Sequence, residues 1–350
     1  MKILITHEVF PPDVSGGGEI LTAKMASDLI KKDYDVEVLT SGNPRTKYYE
    51  NIPTMRLKTN RYLMNIQIKR IIDESSDVDL IHTSSGNMCF PSWIAAKVNN
   101  KPICCYVHHV FGPYWKDIMG KIIGSVFEFL EKIFLTRDYD AIIFQNNSSM
   151  KLGLKMGIEK KRSHLIHPGI DYKKFQMSTK KKPIVLFVGN FDMSKTTCKT
   201  KGLDYLIEAA RQLPETIFVV VGAGDYLNNL KKESPPNVVF KGALVGKKLI
   251  KLYNESMIFC LPSLNEGFGL TILEAMASGC AVISTVDIGQ RGILIKPKDS
   301  EQIRRAIELL LKNQAKTIKL GQKNRKIAKK FTWAKFFNNI IKIYNSITRK

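Results

Sequence analysis

The feature that most constrains this chain is an alternation. Short, nearly unbroken apolar runs recur along it, and stretches with helical spacing of apolar residues separate most of them. In the first half the runs are KILIT (2–6), DVEVLT (35–40), TMRLK (54–58), DLIHT (79–83), PICCYVH (102–108), AIIFQ (141–145) and HLIH (164–167). In the second half they are PIVLFVG (183–189), TIFVVVG (216–222), NVVFKG (237–242), SMIFCLP (256–262), AVIST (281–285) and GILIK (292–296). A strand with one wet face alternates apolar and polar residues. Unbroken apolar runs bounded by turn residues mark strands covered on both faces, which is the pattern of parallel sheets flanked by helices. The predicted class is α/β.

The alternation restarts at residue 183, after the polar, lysine-rich stretch IDYKKFQMSTKKKP (170–183). At 350 residues the chain is long enough for two cores. We therefore expect two doubly wound domains, 1–170 and 183–330, joined by a linker at 171–182. A final helix spans 331–350, with apolar residues at helical spacing from Phe331 to Tyr344. That face needs a partner, and the first domain is the expected one. Ligands of such sheets bind at the C-terminal strand ends, so the two domains should present those ends to a shared cleft.

Composition adds the charge. The chain carries 54 Lys and Arg against 32 Asp and Glu, a net +22. Residues 301–350 hold 14 basic and 2 acidic residues. Such a tail suggests an anionic membrane surface as partner, with a solvated lysine-rich face as the plain alternative. Nucleic acid is disfavoured, because no interleaved aromatic platform accompanies the charge. No apolar run reaches the roughly 18–20 residues of a membrane span. The N-terminus enters a strand directly, without a cleavage signal. The six cysteines show neither framework nor metal-ligand spacing and read as buried thiols of a reducing compartment. A cytoplasmic protein, peripheral on the inner face of the membrane, is the expectation.

Sorted by the strand-end rule, several segments stand out. PPDVSGGGEI (11–20) follows the first strand with Gly16, Gly17 and Gly18 at a helix mouth, suited to close ligand approach, although an ordinary turn would explain one glycine. CYVHHVFGPYW (105–115) puts His108 and His109 at a strand end, on opposite faces if the alternation continues, so one of them should reach ligand. In YWKDIMGKIIGSVFEFLEKIF (114–134) a wide helical apolar stripe is expected to pack in the core, the alternative being a surface for lipid. Asp33/Asp35, Asp77/Asp79 and Asp138/Asp140 precede strands, so they read as turn acids, and no protein-held metal is expected. Lys201-Gly202 opens a helix at a strand-end position suited to phosphate charge.

The stretch LPSLNEGFGLTILEAMASG (261–279) sets Glu266 and Glu274 eight residues apart around a Gly-Phe-Gly turn. The N–H groups around Phe268, Gly269, Leu270 and Thr271 should be open to a diphosphate. Glu266 could be a mere dipole partner. Glu274 lies past the first helical turn among apolar residues and wants a donor, which ribose hydroxyls would supply.

This stretch resembles the signature of the retaining, nucleotide-sugar-dependent glycosyltransferases of family 4. The likeness extends to the GGG loop, HPGIDYKKF (167–175), Lys201-Gly202 and NVVFKGALV (237–245). The resemblance implies GT-B architecture: two Rossmann-like domains facing a central cleft, with the C-terminal helix crossing back to the first. It implies a hexose-type sugar moved from a nucleoside diphosphate donor to a glycan or lipid-linked acceptor with retention of configuration. Glu266 would meet the sugar hydroxyls and Glu274 the ribose. Lys201 would neutralise the diphosphate, and Leu244 would border the base. His108 would be the cleft histidine, Gly16 and Gly17 the acceptor-side loop, and Gly189-Asn190 the strand end at the donor. The nucleotide sugar is a co-substrate, and no other cofactor is implied. Two departures stand against this. Asn190 occupies a position where the family commonly has Arg, with Lys195 and Lys199 in an insertion beyond it. The loop within 281–299 is also short. They motivate two alternatives: a non-catalytic GT-B subunit supporting a partner enzyme, and another GT-B activity such as a phosphorylase or epimerase.

Overall fold

A computed structural model describes residues 1–13, 16–191 and 200–349. The chain divides into two compact units. The first comprises Met1–Gly112, Ser125–Pro168 and the segment from Ala334 onward. The second comprises Pro113–Gly124 and Gly169–Trp333.

In the first unit the elements run β1 (Lys2–Thr6), α1 (Gly17–Ile30), β2 (Asp35–Ser41), β3 (Tyr48–Tyr49), β4 (Ile52–Leu57), α2 (Ile68–Glu74), β5 (Leu80–Ser84), α3 (Cys89–Val98) and β6 (Ile103–Val107). A short helix α4 (Tyr114–Met119), which belongs to the second unit, and the longer α5 (Lys121–Leu135), whose first turn does too, follow before β7 (Ala141–Phe144), α6 (Asn147–Met156) and β8 (Ser163–Leu165). The strands form one sheet in the order β3-β4-β2-β1-β5-β6-β7-β8. Every pairing in it is parallel except β3 with β4. The unbroken apolar runs have the predicted cause: Ile3, Leu4 and Ile5 in β1, and Ala141 to Phe144 in β7, are buried. The two-residue β3 escapes the sequence reading because Tyr48-Tyr49 is too short to carry a period.

The second unit contains β9 (Lys182–Val188), α7 (Leu203–Arg211), β10 (Ile217–Val221), α8 (Asp225–Glu233), β11 (Val238–Phe240), α9 (Gly246–Glu255), β12 (Ser256–Leu261), α10 (Leu270–Ala277), β13 (Ala281–Ser284), β14 (Gly292–Leu294), α11 (Ser300–Lys312) and α12 (Gln314–Ala328). Its parallel sheet has the order β11-β10-β9-β12-β13-β14. The architecture is thus two Rossmann-like α/β units.

The last helix, α13 (Trp333–Thr348), returns to the first unit. Phe336, Phe337, Ile340 and Tyr344 are buried there, at the spacing the sequence shows. Each such side chain contributes about 1.5–3 kcal/mol by leaving water. The Tyr344 hydroxyl lies 2.8 Å from Nδ1 of the buried His82 in β5, so the apolar face carries one polar anchor.

Two expectations need correction. The basic C-terminal stretch is not a tail. Ile303, Ile307 and Leu310 bury one face of α11, and Arg325 of α12 stacks 4.6 Å over the Tyr172 ring and donates to the Phe175 carbonyl. Apolar residues at helical spacing fold the lysines and arginines into packed helices. The stripe at 114–134 is neither one helix nor core. Gly120, at φ 80°, separates α4 from α5, and the apolar side of α5 is exposed.

The Asp pairs serve structure. Asp79 accepts from the Lys2 N–H, Asp140 from the Ile103 N–H, and Asp138 from the Trp93 indole. Asp33 turns the chain at φ 63°. Among the described residues no three His, Cys, Asp or Glu side chains come together in a group able to hold a metal ion. Cys89, Cys104, Cys105, Cys260 and Cys280 are free and buried, and no described helix is long and apolar enough to cross a membrane.

Candidate active site

In a doubly wound sheet, neighbouring strands whose connections leave in opposite directions open a crevice at their C-terminal ends. In the second unit these strands are β9 and β12. β9 ends at Gly189 and the exposed Asn190, whose side chain brings no charge. β12 runs into Pro262, Ser263 and the loop that carries Glu266. Gly202 caps α7 at φ 69°, and a Cβ there would stand 2.1 Å from the Pro262 carbonyl oxygen. Only glycine lets the α7 mouth approach the β12 end this closely.

That approach brings Lys201 to Glu266. Their Nζ and Oε2 atoms are 2.8 Å apart, both largely shielded, and Ser263 Oγ donates to the same oxygen at 3.3 Å. Residues 65 positions apart are thereby joined. The sequence reading gives these two residues separate duties, whereas the structure makes them one ion pair. Gly269, in the left-handed region at φ 82°, begins α10. The first intrahelical acceptor is the Gly269 carbonyl, which takes the N–H of Ile272 at 2.8 Å. The N–H groups of Leu270 and Thr271 precede it, so helix geometry gives them no intrahelical partner. Phe268 turns its ring inward, 2% exposed and 5.9 Å from the Phe331 ring, so only its backbone faces the turn.

Glu274 lies on α10, half-buried. Burial pushes its carboxyl up to about 7. The Tyr253 hydroxyl beside it, which does not complete a hydrogen bond of normal geometry, only partly offsets the shift. A carboxyl poised between neutral and ionised is a receptive partner for hydroxyls. Leu244 is half-buried against the core of this unit, beside the exposed Val245. Lys195 and Lys199 lie outside the described residues.

In the first unit the corresponding crevice follows β1 and β5, with β6 and β7 beside them. His108 leads the chain out of β6. Its N–H donates to Ser85 Oγ at 3.1 Å, its Nε2 is 3.3 Å from Ser84 Oγ, and its Nδ1 is 3.1 Å from the Gln145 amide nitrogen. With that amide donating to Nδ1, the neutral ring carries its proton on Nε2. Burial holds the imidazole well below its ordinary pKa, and the neighbouring His7, His109 and His82 add to the effect. It is a neutral, oriented ring. His109 stacks on Phe111 at 5.5 Å instead. Gly16 caps α1, with the exposed Gly17 after it. Gly18 lies against the His108 ring, where a Cβ would stand 3.3 Å from Nδ1.

Sequence reasoning missed His7 and Glu19. His7 follows β1, is 4% exposed, and neither ring nitrogen has a hydrogen-bond partner among the described residues. Its ring lies 5.4 Å from that of His108. Burial lowers its pKa, and the Glu19 and Glu8 carboxylates oppose this. Glu8 itself accepts from the Asn87 amide at 2.8 Å and pairs with Arg61. The available signal was THE (6–8), a polar pair directly after an apolar strand.

Family models match both halves of the chain. The model of group 1 glycosyl transferases matches residues 170–330, and that of glycosyltransferase family 4 matches residues 15–174. The sulfoquinovosyl transferase SQD2 of Arabidopsis thaliana is 25% identical over 348 residues, covering 91% of this chain but only 65% of the plant protein. The UDP-Gal:alpha-D-GlcNAc-diphosphoundecaprenol alpha-1,3-galactosyltransferase of Escherichia coli is 26% identical, over 84% of this chain and 82% of its own. Among solved structures, Anabaena Alr3699/HepE in complex with UDP-glucose superposes with a TM-score of 0.78 at 19% identity, over 99% of this chain and 100% of that one. Sucrose-phosphate synthase from Thermosynechococcus elongatus gives 0.80 at 20% identity, over 99% and 98%. At that identity the structural likeness speaks for the fold alone. The two family models, which together span residues 15–330, define a glycosyltransferase, and the fold is of GT-B architecture. The chain belongs to glycosyltransferase family 4, with a group 1 glycosyl transferase domain as its second half.

Proposed function

We propose that the protein is a retaining hexosyltransferase. It would move a sugar from a nucleoside diphosphate donor to a glycan or lipid-linked acceptor, at the cytoplasmic face of a membrane. The observation that carries this reading is the Lys201–Glu266 pair beside the open first turn of α10. The diphosphate meets the N–H groups of Leu270 and Thr271, and Lys201 supplies the cation. Glu266 holds Lys201 in place and accepts from the sugar hydroxyls. Glu274 accepts from the ribose, Leu244 borders the base, and the backbone at Gly189 and Asn190 closes the donor side. Charge stabilisation of the leaving diphosphate then supplies most of the rate. The diphosphate takes the proton of the incoming hydroxyl on the face it leaves, which returns the sugar with its configuration retained. His108, neutral and oriented, positions an acceptor or sugar hydroxyl near the Gly16-Gly17 turn. These residues supply the site's charge without a protein-held metal. The uridine diphosphate sugars named for HepE and the Escherichia coli enzyme, and the diphosphoundecaprenol acceptor of the latter, make such ligands the first to try.

The test is calorimetric titration of the full chain with UDP-, GDP- and ADP-sugars, followed by turnover. At least one donor should bind and be transferred or slowly hydrolysed, and Glu266→Ala and Glu274→Ala should each abolish turnover. Undiminished turnover in both variants would sink the assignment. One observation favours a second reading, a non-catalytic GT-B subunit: the strand end at Asn190 brings no guanidinium to the diphosphate. Failure of every donor to bind would support it. Phosphate-dependent chemistry without sugar transfer would point to a phosphorylase instead.

A further inference from the structure

β7 runs out on a buried amide. Ala141 to Phe144 are buried, and Gln145 follows them at 5% exposure. A buried amide needs hydrogen-bond partners. Asn146, the next residue, caps α6 with its own side chain, so helix capping does not account for Gln145. The Gln145 side-chain nitrogen instead lies 3.1 Å from Nδ1 of His108, at the end of the neighbouring β6. Its backbone is held as well. The Gln145 carbonyl oxygen is 2.6 Å from Nδ1 of His167, and since a carbonyl only accepts, that nitrogen donates.

The two ring nitrogens of His108 therefore have unlike partners. Nε2 faces Ser84 Oγ at 3.3 Å, and a hydroxyl can donate or accept by rotating about its bond. Serine fits either tautomer. Ser85 takes only the backbone N–H of His108 and leaves the ring alone. An amide nitrogen only donates, so Gln145 keeps the proton off Nδ1. Burial keeps the ring neutral, and its single proton is left on Nε2. At 3.3 Å the Ser84 contact is long, so the same N–H can be shared with a ligand oxygen. The backbone at Gly18 crowds the other edge, where a Cβ would stand 3.3 Å from Nδ1. With the Nδ1 lone pair occupied and Nε2 protonated, the ring has no free lone pair with which to take a proton from an incoming hydroxyl. We propose that Gln145 is a positioning residue that fixes His108 as the Nε2–H tautomer, so that His108 meets ligand as a hydrogen-bond donor and not as a general base. Its part in turnover rests on the transferase reading above, where it leaves the departing diphosphate to take the proton.

The tautomer is read by nuclear magnetic resonance on the full chain carrying ring-nitrogen-labelled histidine at neutral pH. The His108 signal is the one that His108→Gln removes. In the wild type Nδ1 should be unprotonated and Nε2 protonated. Gln145→Met keeps the side-chain length but removes the donor, and should let both tautomers appear. Gln145→Glu offers an acceptor instead, and should put a proton on Nδ1. Circular dichroism checks that the variants fold, and the wild-type spectrum decides by itself if they do not. A wild-type ring protonated on Nδ1 would overturn the proposal. So would a His108 signal that neither folded Gln145 variant alters. The donor role is read from turnover. His108→Gln keeps an amide N–H in place of the ring's, and should stay roughly tenfold or more above His108→Leu. Equal loss in those two variants would overturn the donor role. A wild type that turns over no donor would sink the transferase reading, while the ring spectrum would still decide the tautomer.

Discussion

Glu266, in the loop ahead of α10, and Glu274, on that helix, live differently. Glu266 is tied to a lysine 2.8 Å away, whereas Glu274 has a tyrosine hydroxyl beside it, and burial pushes it up to about 7. If ribose hydroxyls bind the ionised carboxylate, donor binding near neutral pH must expel the proton that Glu274 still holds. At pH 7 the release should be on the order of half a proton per site, falling toward zero as pH rises past 8. Titrating the donor in buffers of different ionisation enthalpy measures it, and Glu274→Gln should show none. A release that survives Glu274→Gln would locate the proton elsewhere. The spacing of the two acids was legible from sequence. Their different surroundings were not, because the Lys201 contact spans 65 residues and the glycine that permits it, Gly202, looks like any other helix-mouth glycine until Pro262 is beside it.

At the scale of elements, the apolar runs and the final helix could be read directly, because periodicity reports burial. The reading failed at α5, where the same periodicity points outward. Spacing shows that a face exists but not which side of it the protein occupies. The N–H groups of Phe111 and Gly112 that draw Glu131 inward lie twenty and nineteen residues upstream. α13 offers the matching positive case. Phe336 is 1% exposed and stands edge-on to Tyr106 of β6, with ring centroids 6.3 Å apart. Phe336→Ala should therefore cost about 3–5 kcal/mol. The loss should appear as faster amide exchange in β1, β5 and β6, with the second unit's strands unaffected. Uniform loosening of both units would mean that α13 is not specific to the first.

Across the whole molecule, the two units should answer acid oppositely. His7, His82 and His108 of the first unit are held neutral by burial, His82 down to about 3. Their pKa values are depressed below the unfolded value near 6.5, so the unfolded chain takes up protons first. Stability is lost as pH falls below about 6.5, at about 1.4 kcal/mol per pH unit for each histidine that stays neutral. Glu274 of the second unit has the opposite linkage. Its folded pKa lies above the unfolded value, so its penalty is absent below about pH 4.5 and grows as pH rises to about 7. Between pH 7 and 5, hydrogen exchange should show the first unit weakening without a matching loss in the second. Parallel weakening would mean that the histidines take up their protons in place.

The return of α13 has a consequence for the order in which the protein is made. A ribosome releases the first unit's sheet long before it synthesises the helix that covers it, and residues 169–333 of the second unit are made in between. Until then Tyr106 and His82 lack the Phe336 and Tyr344 side chains they meet in the finished fold. The N-terminal half is therefore born incomplete. It acquires its native core only when synthesis reaches α13, so a prematurely terminated chain exposes an unfinished sheet to proteases.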